Sequence, residues 1–389
     1  MRVCAVICEY NPFHLGHAYH LRAAREASGA DYVLCLMSGA LTQRGAFARH
    51  DKWLRARAAL ENGADLVLEL PTRFACAPAP DFASGGVALL SALGVATHLS
   101  FGCEASALPL LSAAAALFKA ESPAFSAALR ARLADGLPYP RARALAAGLP
   151  ATLLAQPNAA LALEYLQALP PEIAPVPVER RGSGYHDAAL SSLSSATAVR
   201  AALARGDLPA ALSAVPSPAP LQAAEARGFV HEEEALTQAL LYRLRTASPD
   251  ALAALYGMDE GLERRFLAAA QTCASREALL DFVKTKRYTR ARLSRLCAYA
   301  LLDLSRDFAQ AHRAPEYARV LGFRRSAAPL LKAVKRRSAI PLVTKAADFD
   351  RAHPLFALDV RAQDLWSLGV SNPALRSSGR DFTTSPILV

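Results

Sequence analysis

The chain has 389 residues, of which 53% are hydrophobic and 20% are charged, and this composition excludes an intrinsically disordered protein. The length favours two domains, and no apolar run is long enough to span a bilayer, so we expect no membrane partner. The net charge of +10 fits two interpretations equally well, a polyanionic partner such as nucleic acid and a basic solvated surface.

The first hundred residues alternate short apolar runs with helical patterns. The runs predict strands at residues 2–8, 32–37, 65–70 and 97–101, with a candidate fifth strand at residues 174–180. Helical patterns lie at residues 17–27, 51–62 and 86–93. Because strands that alternate with helices form right-handed βαβ units, we predict an α/β fold with a Rossmann-like parallel sheet.

The remaining chain is mostly helical in pattern. Residues from about 106 to 168 predict a helical insertion packed on the sheet. A proline-rich stretch at 216–220 predicts a linker, and residues 221–345 beyond it are almost wholly helical in pattern. We therefore predict a catalytic domain at residues 1–215 and an all-helical, basic domain at residues 216–389.

Polar residues follow the predicted strands at the point where each strand ends. They lie at residues 9–17, 38–44, 69–71 and 102–104. The carboxyl ends of parallel strands meet at one edge of a sheet, and ligands bind there. The sequence therefore predicts that these four segments form one site.

The first of these segments contains two histidines, His14 and His17, at the junction of a strand and a helix. Their spacing places both rings on one side of the first helical turn, and Gly16 lets a nucleotide approach the backbone. The helix N-terminus adds free N–H groups and a positive dipole end. Imidazole N–H groups there can stabilise phosphate oxygens as pyrophosphate leaves, so we predict that both histidines are catalytic.

Two other interpretations of the histidines compete with this one. A zinc site could use His14, His17 and His20, but no cysteine or carboxylate completes it at the usual spacing. Surface histidines without a function are the simpler alternative. The residues at 9–13 that precede the motif at a strand end favour the nucleotide site, and we expect no metal bound by the protein alone.

Basic residues follow the second strand. Arg44, Lys52 and Arg55 are candidates to hold a triphosphate or the leaving pyrophosphate. The alternative for Lys52, Arg55 and Arg57 is a solvated helix face, which we favour for Arg57. Arg44 lies in a loop next to a glycine, and we predict a catalytic role for it.

Hydroxyl residues and an arginine mark a later helix start, at Ser195, Thr197 and Arg200. Hydroxyl and N–H groups at such a position can bind phosphate, which assigns Ser195 and Thr197 to the ATP site. N-capping by Ser194 or Ser195 explains the same residues equally well.

A basic segment in the second half precedes another helix. Its cations are Lys286, Arg287, Arg290 and Arg292. With Tyr288 nearby, the segment suits RNA phosphates and base stacking. A second basic run follows at residues 332–337. Charged runs are usually solvated faces, but two of them beside an ATP site favour RNA.

Seven cysteines are present, and no two of them form a CxxC pair. Several lie inside apolar runs, which predicts buried, reduced thiols. The chain opens directly into a strand pattern without a signal-peptide pattern, so we expect a cytoplasmic protein.

Taken together, the motifs resemble those of the bacterial tRNA(Met) cytidine acetate ligases, which belong to the HIGH-type nucleotidyltransferase superfamily. The resemblance is carried by residues 9–17, 43–45, 51–53, 65–71, 101–104, 157–158, 164–166, 184–187, 195–197, 286–292 and 319–323. It therefore spans nearly the whole chain. The chain departs from the family pattern at Ala40 and Ala46, which stand where the family commonly has Asn and Glu.

The resemblance implies a two-step reaction. ATP and acetate give acetyl-adenylate and pyrophosphate, and the acetyl group then passes to the wobble cytidine of elongator tRNA(Met), giving N(4)-acetylcytidine. We expect ATP with Mg²⁺ on its phosphates, acetate and tRNA as the partners. The resemblance implies ATP contacts at Ile7, Cys8, Glu9, Tyr10, Asn11, Pro12, Phe13, His14, Leu15, Gly16, His17, Ala18, Tyr19, His20, Gly102, Asn158 and Arg180. Arg181 is the alternative to Arg180.

Two other functions share these features. An adenylyltransferase that makes a small nucleotide cofactor needs the same histidine motif, but it does not need a basic helical domain. A non-catalytic tRNA-binding protein could keep ATP only as a structural ligand.

Overall fold

The structure is a computed structural model, and it describes residues 1–103, 107–120, 122–137, 139–150, 153, 157–179 and 195–389. The described strands are β1 Val3–Cys8, β2 Tyr32–Ser38, β3 Leu66–Leu70, β4 His98–Gly102, β5 Ala174–Val178, β6 Ala318–Phe323, β7 Leu342–Val343 and β8 Ile387–Leu388. The described helices of the first half are α1 Leu15–Ser28, α2 Lys52–Glu61, α3 Thr72–Ala75, α4 Ala79–Leu93, α5 Leu108–Ala120, α6 Pro123–Ala134, α7 Tyr139–Ala146, α8 Pro157–Ala168, α9 Ala196–Ala204 and α10 Leu208–Ser213.

The second half contributes more helices. They are α11 Pro218–Ala226, α12 Thr237–Thr246, α13 Pro249–Ala253, α14 Leu262–Thr272, α15 Arg276–Val283, α16 Arg290–Leu302, α17 Arg306–Ala311, α18 Ala328–Arg337, α19 Pro354–Leu368 and α20 Arg380–Thr383. Short 3-10 helices lie at Glu233–Leu236, Arg325–Ala327, Ala346–Asp348 and Pro373–Leu375. In the described part of the chain, no helix combines the length and the apolar character needed to cross a bilayer.

The strands form one sheet in the order β5-β4-β1-β2-β3-β6-β7, with β8 paired to β6. Strands β1 to β5 are all parallel, as the alternating pattern predicts. The chain leaves β1 toward β2 on one side and later returns to β4 on its other side. This reversal of strand order opens a crevice at the carboxyl ends of β1 and β4, where parallel sheets bind ligands.

Apolar side chains cover both faces of the sheet, which is why its strands are continuous apolar runs. Helices α4, α5 and α8 pack together over one face. A separate core joins α12 to α16 and α19, with Phe266, Leu293 and Trp366 fully buried.

The second half is helical for most of its length, and it also extends the sheet. Strand β6 pairs antiparallel with β3, and β7 and β8 pair with β6. The pattern predicts only helices there, because β6 is a six-residue run with Arg319 inside it and a helix on either side. Such short runs cannot be distinguished from buried helix by periodicity.

Candidate functional site

A cavity of about 650 Å³ opens at the carboxyl ends of β1, β4 and β5. Most residues that the sequence assigns to ATP line it: Ile7, Cys8, Glu9, Tyr10, Asn11, His14, Gly16, His17, Tyr19, His20, Arg44, Gly102, Asn158, Ser195 and Thr197. The structure thus brings together segments that are far apart in the chain, as expected for the crevice of a parallel sheet.

Four residues of the predicted ATP set do not line the cavity. Phe13 and Ala18 pack in the hydrophobic cluster under α1, Pro12 is buried, and the Leu15 N–H donates to the Ala214 carbonyl at 2.8 Å. These residues shape the turn into α1 instead of facing the cavity. Arg180 lies outside the described residues, as do Arg181 and Ser194.

The two histidines form a capping box at the start of α1. The Gly16 N–H donates to Nδ1 of His14 at 3.1 Å, and the His14 N–H donates to Nδ1 of His17 at 3.3 Å. Two of the four N–H groups that have no partner inside a helix are satisfied in this way. The rings lie 3.7 Å apart between centroids, and His14 is only 5% exposed.

This capping arrangement sets the tautomer of both neutral rings. A ring nitrogen that accepts a hydrogen bond carries no proton, so each neutral imidazole carries its proton on Nε2. Both rings line the cavity, and Nε2–H is the group that can donate to a phosphate oxygen there. The backbone thus selects the tautomer that phosphate binding requires.

Gly16 has a packing reason in addition to nucleotide access. A Cβ at this position would lie 2.8 Å from Cε1 of His14, closer than atoms tolerate. Any side chain here would displace the His14 ring, so the glycine and the histidine orientation depend on each other.

The loop after β2 is tied directly to the first motif. The Gln43 N–H donates to Oε1 of Glu9 at 2.7 Å, and the Arg49 N–H donates to Oδ1 of Asn11 at 2.9 Å. Arg44 lies between these two anchors, is exposed, and lines the cavity. Gly45, with φ +82°, packs against the backbone of Arg295 in α16.

The capping interpretation of the Ser195 region is confirmed, and phosphate binding there stays a prediction. Ser195 caps α9, because its side chain accepts from the Ala198 N–H at 3.2 Å, and it also lines the cavity. Nη2 of Arg200 donates to Oγ1 of Thr197 at 3.3 Å, and Nη1 donates to the Asn11 carbonyl at 2.5 Å. Helix α9 is therefore fixed to the histidine motif.

Lys52 and Arg55 are neither positioned to hold a triphosphate in the cavity nor part of a solvated helix face, so both interpretations from the sequence are wrong. Each side chain is 1% exposed, and neither lines the cavity. Nζ of Lys52 lies 2.7 Å from carboxylate oxygens of both Glu69 and Asp381. Arg55 donates to backbone carbonyls, including those of Glu9 at 2.6 Å and Ser38 at 3.0 Å. They hold strand ends together, whereas Arg57 lies on the surface as expected.

The predicted tRNA-binding cations lie on or near the surface around the start of α16. Lys286, Arg287 and Arg290 are exposed, and Arg292 is half-buried. Arg287 pairs with Glu260 at 2.8 Å, and Arg290 pairs with Asp281 at 2.6 Å and with Glu277. Arg292 lies 3.9 Å from Asp259 and from Glu260. Neighbouring carboxylates therefore compensate much of this charge.

Sequence reasoning missed one group of cavity residues. They are Phe47, Arg49, Tyr165, His231, Glu232 and Glu233. The signal was present for three of them, since a histidine followed by three glutamates starts at residue 231. Burial lowers the pKa of His231 to about 4, so this ring is neutral.

All seven cysteines are buried and unpaired, which confirms the thiol prediction. In the ranges that the structure describes, no group of three His, Cys, Asp or Glu residues could hold a metal ion.

The chain is similar to known proteins over nearly its whole length. The model of the HIGH Nucleotidyl Transferase family matches residues 1–381. The tRNA(Met) cytidine acetate ligase of Syntrophomonas wolfei is 37% identical over 100% of this chain and 99% of that protein. The corresponding ligase of Acetivibrio thermocellus is 34% identical over the full length of both chains. Thermotoga maritima TmcAL bound with alpha-thio ATP superposes with a TM-score of 0.92 and 31% identity, covering both chains completely.

Proposed function

The chain belongs to the tRNA(Met) cytidine acetate ligase family of HIGH nucleotidyl transferases, and from this premise we propose its reaction. It is an ATP-dependent ligase that activates acetate as acetyl-adenylate. It then transfers the acetyl group to the wobble cytidine of elongator tRNA(Met), giving N(4)-acetylcytidine. We expect it to act in the cytoplasm, where its tRNA substrate is found.

The observation that supports this proposal best is the histidine capping box at the cavity. In the first step an acetate oxygen attacks the α-phosphorus, and pyrophosphate leaves. The Nε2–H groups of His14 and His17 donate to phosphate oxygens as negative charge moves onto them. Because the backbone already holds both rings, little reorganisation is needed at the moment of reaction.

The other proposed ATP residues have simpler roles. Arg44 balances the charge of the departing pyrophosphate from its loop above the cavity. Asn11, Gly16 and Gly102 shape the surface against which the nucleotide lies, and Ser195 and Thr197 offer hydroxyl groups at the start of α9. Mg²⁺ would arrive on the nucleotide phosphates and reduce their charge, which fits a cavity whose lining includes the Glu9 carboxylate.

For tRNA binding we propose Lys286, Arg287, Arg290 and Arg292 in the second part of the chain, residues 216–389. Their position supports this role. Helix α16 begins at Arg290, and Nη1 of Arg295 in the same helix donates to the Gln43 carbonyl at 3.1 Å. Gln43 lines the cavity, so an RNA backbone held at the start of α16 would lie beside the reaction site.

The direct test uses the purified protein with ATP, labelled acetate and total tRNA, followed by digestion and nucleoside analysis. We expect labelled N(4)-acetylcytidine, with AMP and pyrophosphate as products. ATP consumption with a pyridine nucleotide or pantetheine phosphate, and none with acetate, would instead indicate a cofactor adenylyltransferase. Tight tRNA binding without acyl-adenylate would indicate a non-catalytic protein.

A further inference from the structure

The residues assigned to ATP occupy only part of the cavity lining. A second part comes from the loop after β2 and from the segment that follows α11. Its members are Phe47, Arg49, His231, Glu232 and Glu233. The proposed reaction needs an RNA base in the same cavity as the nucleotide, and this second part has no assigned ligand.

Phe47 is the accessible end of a stack of three rings. Its ring lies 4.7 Å from that of His231 at 30°, and His231 lies 6.1 Å from Trp366 at 29°. His231 and Trp366 are buried, whereas Phe47 is half-buried and lines the cavity.

Hydrogen bonds fix the two inner rings. Nδ1 of His231 donates to the Trp366 carbonyl at 2.9 Å, and the indole N–H donates to the Ala48 carbonyl at 2.6 Å. The stack therefore presents Phe47 as a rigid aromatic surface at the cavity.

The stack and its neighbours match the chemistry of a cytosine. A base in an anticodon loop must unstack from its neighbouring bases to react, and proteins bind such unstacked bases by stacking them on aromatic side chains. The exocyclic amine of cytosine is a hydrogen-bond donor that carboxylates accept. Glu232 and Glu233, 51% and 48% exposed, line the same part of the cavity.

Arginines hold these two carboxylates in place. Glu232 lies 3.3 Å from Arg49, and Glu233 lies 2.7 Å from Arg276. Each carboxylate keeps further lone pairs with which it can accept an amine N–H.

The backbone of Arg49 connects this subsite to the histidine motif. Its N–H donates to Oδ1 of Asn11 at 2.9 Å, and its carbonyl accepts from the His231 N–H at 2.8 Å. A base stacked on Phe47 would thus lie next to the site of acetyl-adenylate formation. We propose that Phe47 stacks on the wobble cytosine and that Glu232 and Glu233 accept hydrogen bonds from its exocyclic amine. These roles rest on the proposed function.

The test compares Phe47→Ala with Phe229→Ala. Phe229 also packs on Trp366, at 5.4 Å and 73°, but it does not line the cavity. In Phe47→Ala we expect acetate-dependent ATP–pyrophosphate exchange within about 2-fold of wild type. Acetyl transfer to an anticodon stem-loop in a single turnover should fall about 10- to 100-fold, because stacking on an aromatic side chain is worth about 1–3 kcal/mol per base. Phe47→Tyr should restore transfer, and Phe229→Ala should leave both steps unchanged.

A second measurement tests the subsite independently of acyl chemistry. A stem-loop carrying pyrrolocytosine at the wobble position should lose fluorescence on binding to the wild type and to Phe229→Ala, but not on binding to Phe47→Ala. Equal quenching by all three proteins, or equal loss of transfer in both alanine variants, would overturn the subsite. Absence of acetate-dependent exchange in the wild type would instead refute the proposed function.

Discussion

Two clusters of polar residues lie at the carboxyl edge of the same sheet, and they differ in whether other parts of the chain cover them. His14 and His17, beyond the end of β1, line an open cavity. Lys52 and Glu69, near the end of β3, are sealed against Arg319 and Asp381 from the second half of the chain. The four members of this sealed cluster are all at most 3% exposed.

The second half of the chain closes one end of the crevice that the first half forms. Strand β6 pairs with β3, and α20 brings Asp381 onto Lys52, so the β3 end of the crevice is closed. The carboxyl ends of β1, β4 and β5 remain open to ligands. Lys52 and Arg55 of α2 therefore hold strand ends together, while His14 and His17 of α1 line the open cavity.

The largest expected effect follows from removing the open cluster. The double variant His14→Ala, His17→Ala should reduce acetate-dependent ATP–pyrophosphate exchange at least about 1000-fold, since one transition-state donor is worth about 100- to 1000-fold. Stability should fall by only about 1–2 kcal/mol, the value of the lost caps. His14→Asn is the matched control, because its amide oxygen keeps an N-cap acceptor while the imidazole Nε2–H is lost. Exchange at the wild-type rate in the folded double variant would show that the motif is not catalytic.

The sealed cluster should respond to mutation in the opposite way. Lys52→Met leaves Glu69 and Asp381 short of one buried cation, and breaking such a pair costs about 3–5 kcal/mol. We expect a loss of that size in the free energy of unfolding measured with urea. Arg57→Met in the same helix removes only a surface pair with Glu61 and should cost less than about 0.5 kcal/mol. A Lys52→Met protein that is stable but unable to catalyse exchange would contradict the architectural role.

Arg44 should behave like the open cluster, with a smaller effect. Arg44→Ala removes an exposed guanidinium from the cavity rim, and a charged hydrogen bond is worth about 1.5–3 kcal/mol. We expect kcat/KM for exchange to fall about 10- to 100-fold, with the urea midpoint unchanged. Arg44→Lys keeps the charge without the planar guanidinium, so its kcat/KM should lie between those of the wild type and Arg44→Ala. A drop in stability equal to that of Lys52→Met would place Arg44 with the sealed cluster.

The sequence could predict the parts of the fold and of the site that depend on local pattern. Strands β1 to β5 were predictable because continuous apolar runs between helices have few other interpretations, and the helical pattern at residues 51–62 corresponds to α2, which Asp51 caps. The cavity side chains near β1 were predictable because strand ends and helix starts put them there.

The sequence could not predict which side chains are buried by residues that are distant in the chain. Nothing near Lys52 in the sequence indicates that Asp381, more than three hundred positions later, will neutralise it. His231 was missed although the run of three glutamates after it is visible in the sequence, because only the folded chain places it against Phe47. Local pattern gives the position of a charge on its own element, whereas its exposure depends on long-range contacts.

The last prediction is a pH dependence at a buried carboxyl, Asp359, near the sealed cluster. Asp359 is 1% exposed, accepts the Thr72 N–H at 2.6 Å, and meets the Tyr317 hydroxyl. Burial, together with the nearby negative charge of Glu69, raises the pKa of this carboxyl to about 7.

The folded state therefore binds a proton on Asp359 more tightly than the unfolded chain does, where the pKa is about 3.9. The resulting stability is fully present below about pH 4 and is lost as the pH rises through about 7. Asp359→Asn cannot titrate at this position, so its stability relative to wild type should increase from pH 5 to pH 8, by at most about 1.4 kcal/mol per pH unit. Urea unfolding of both proteins across this range measures the difference, because titrating groups common to both cancel. Parallel stability curves would show that Asp359 is already ionised in the folded protein across this range.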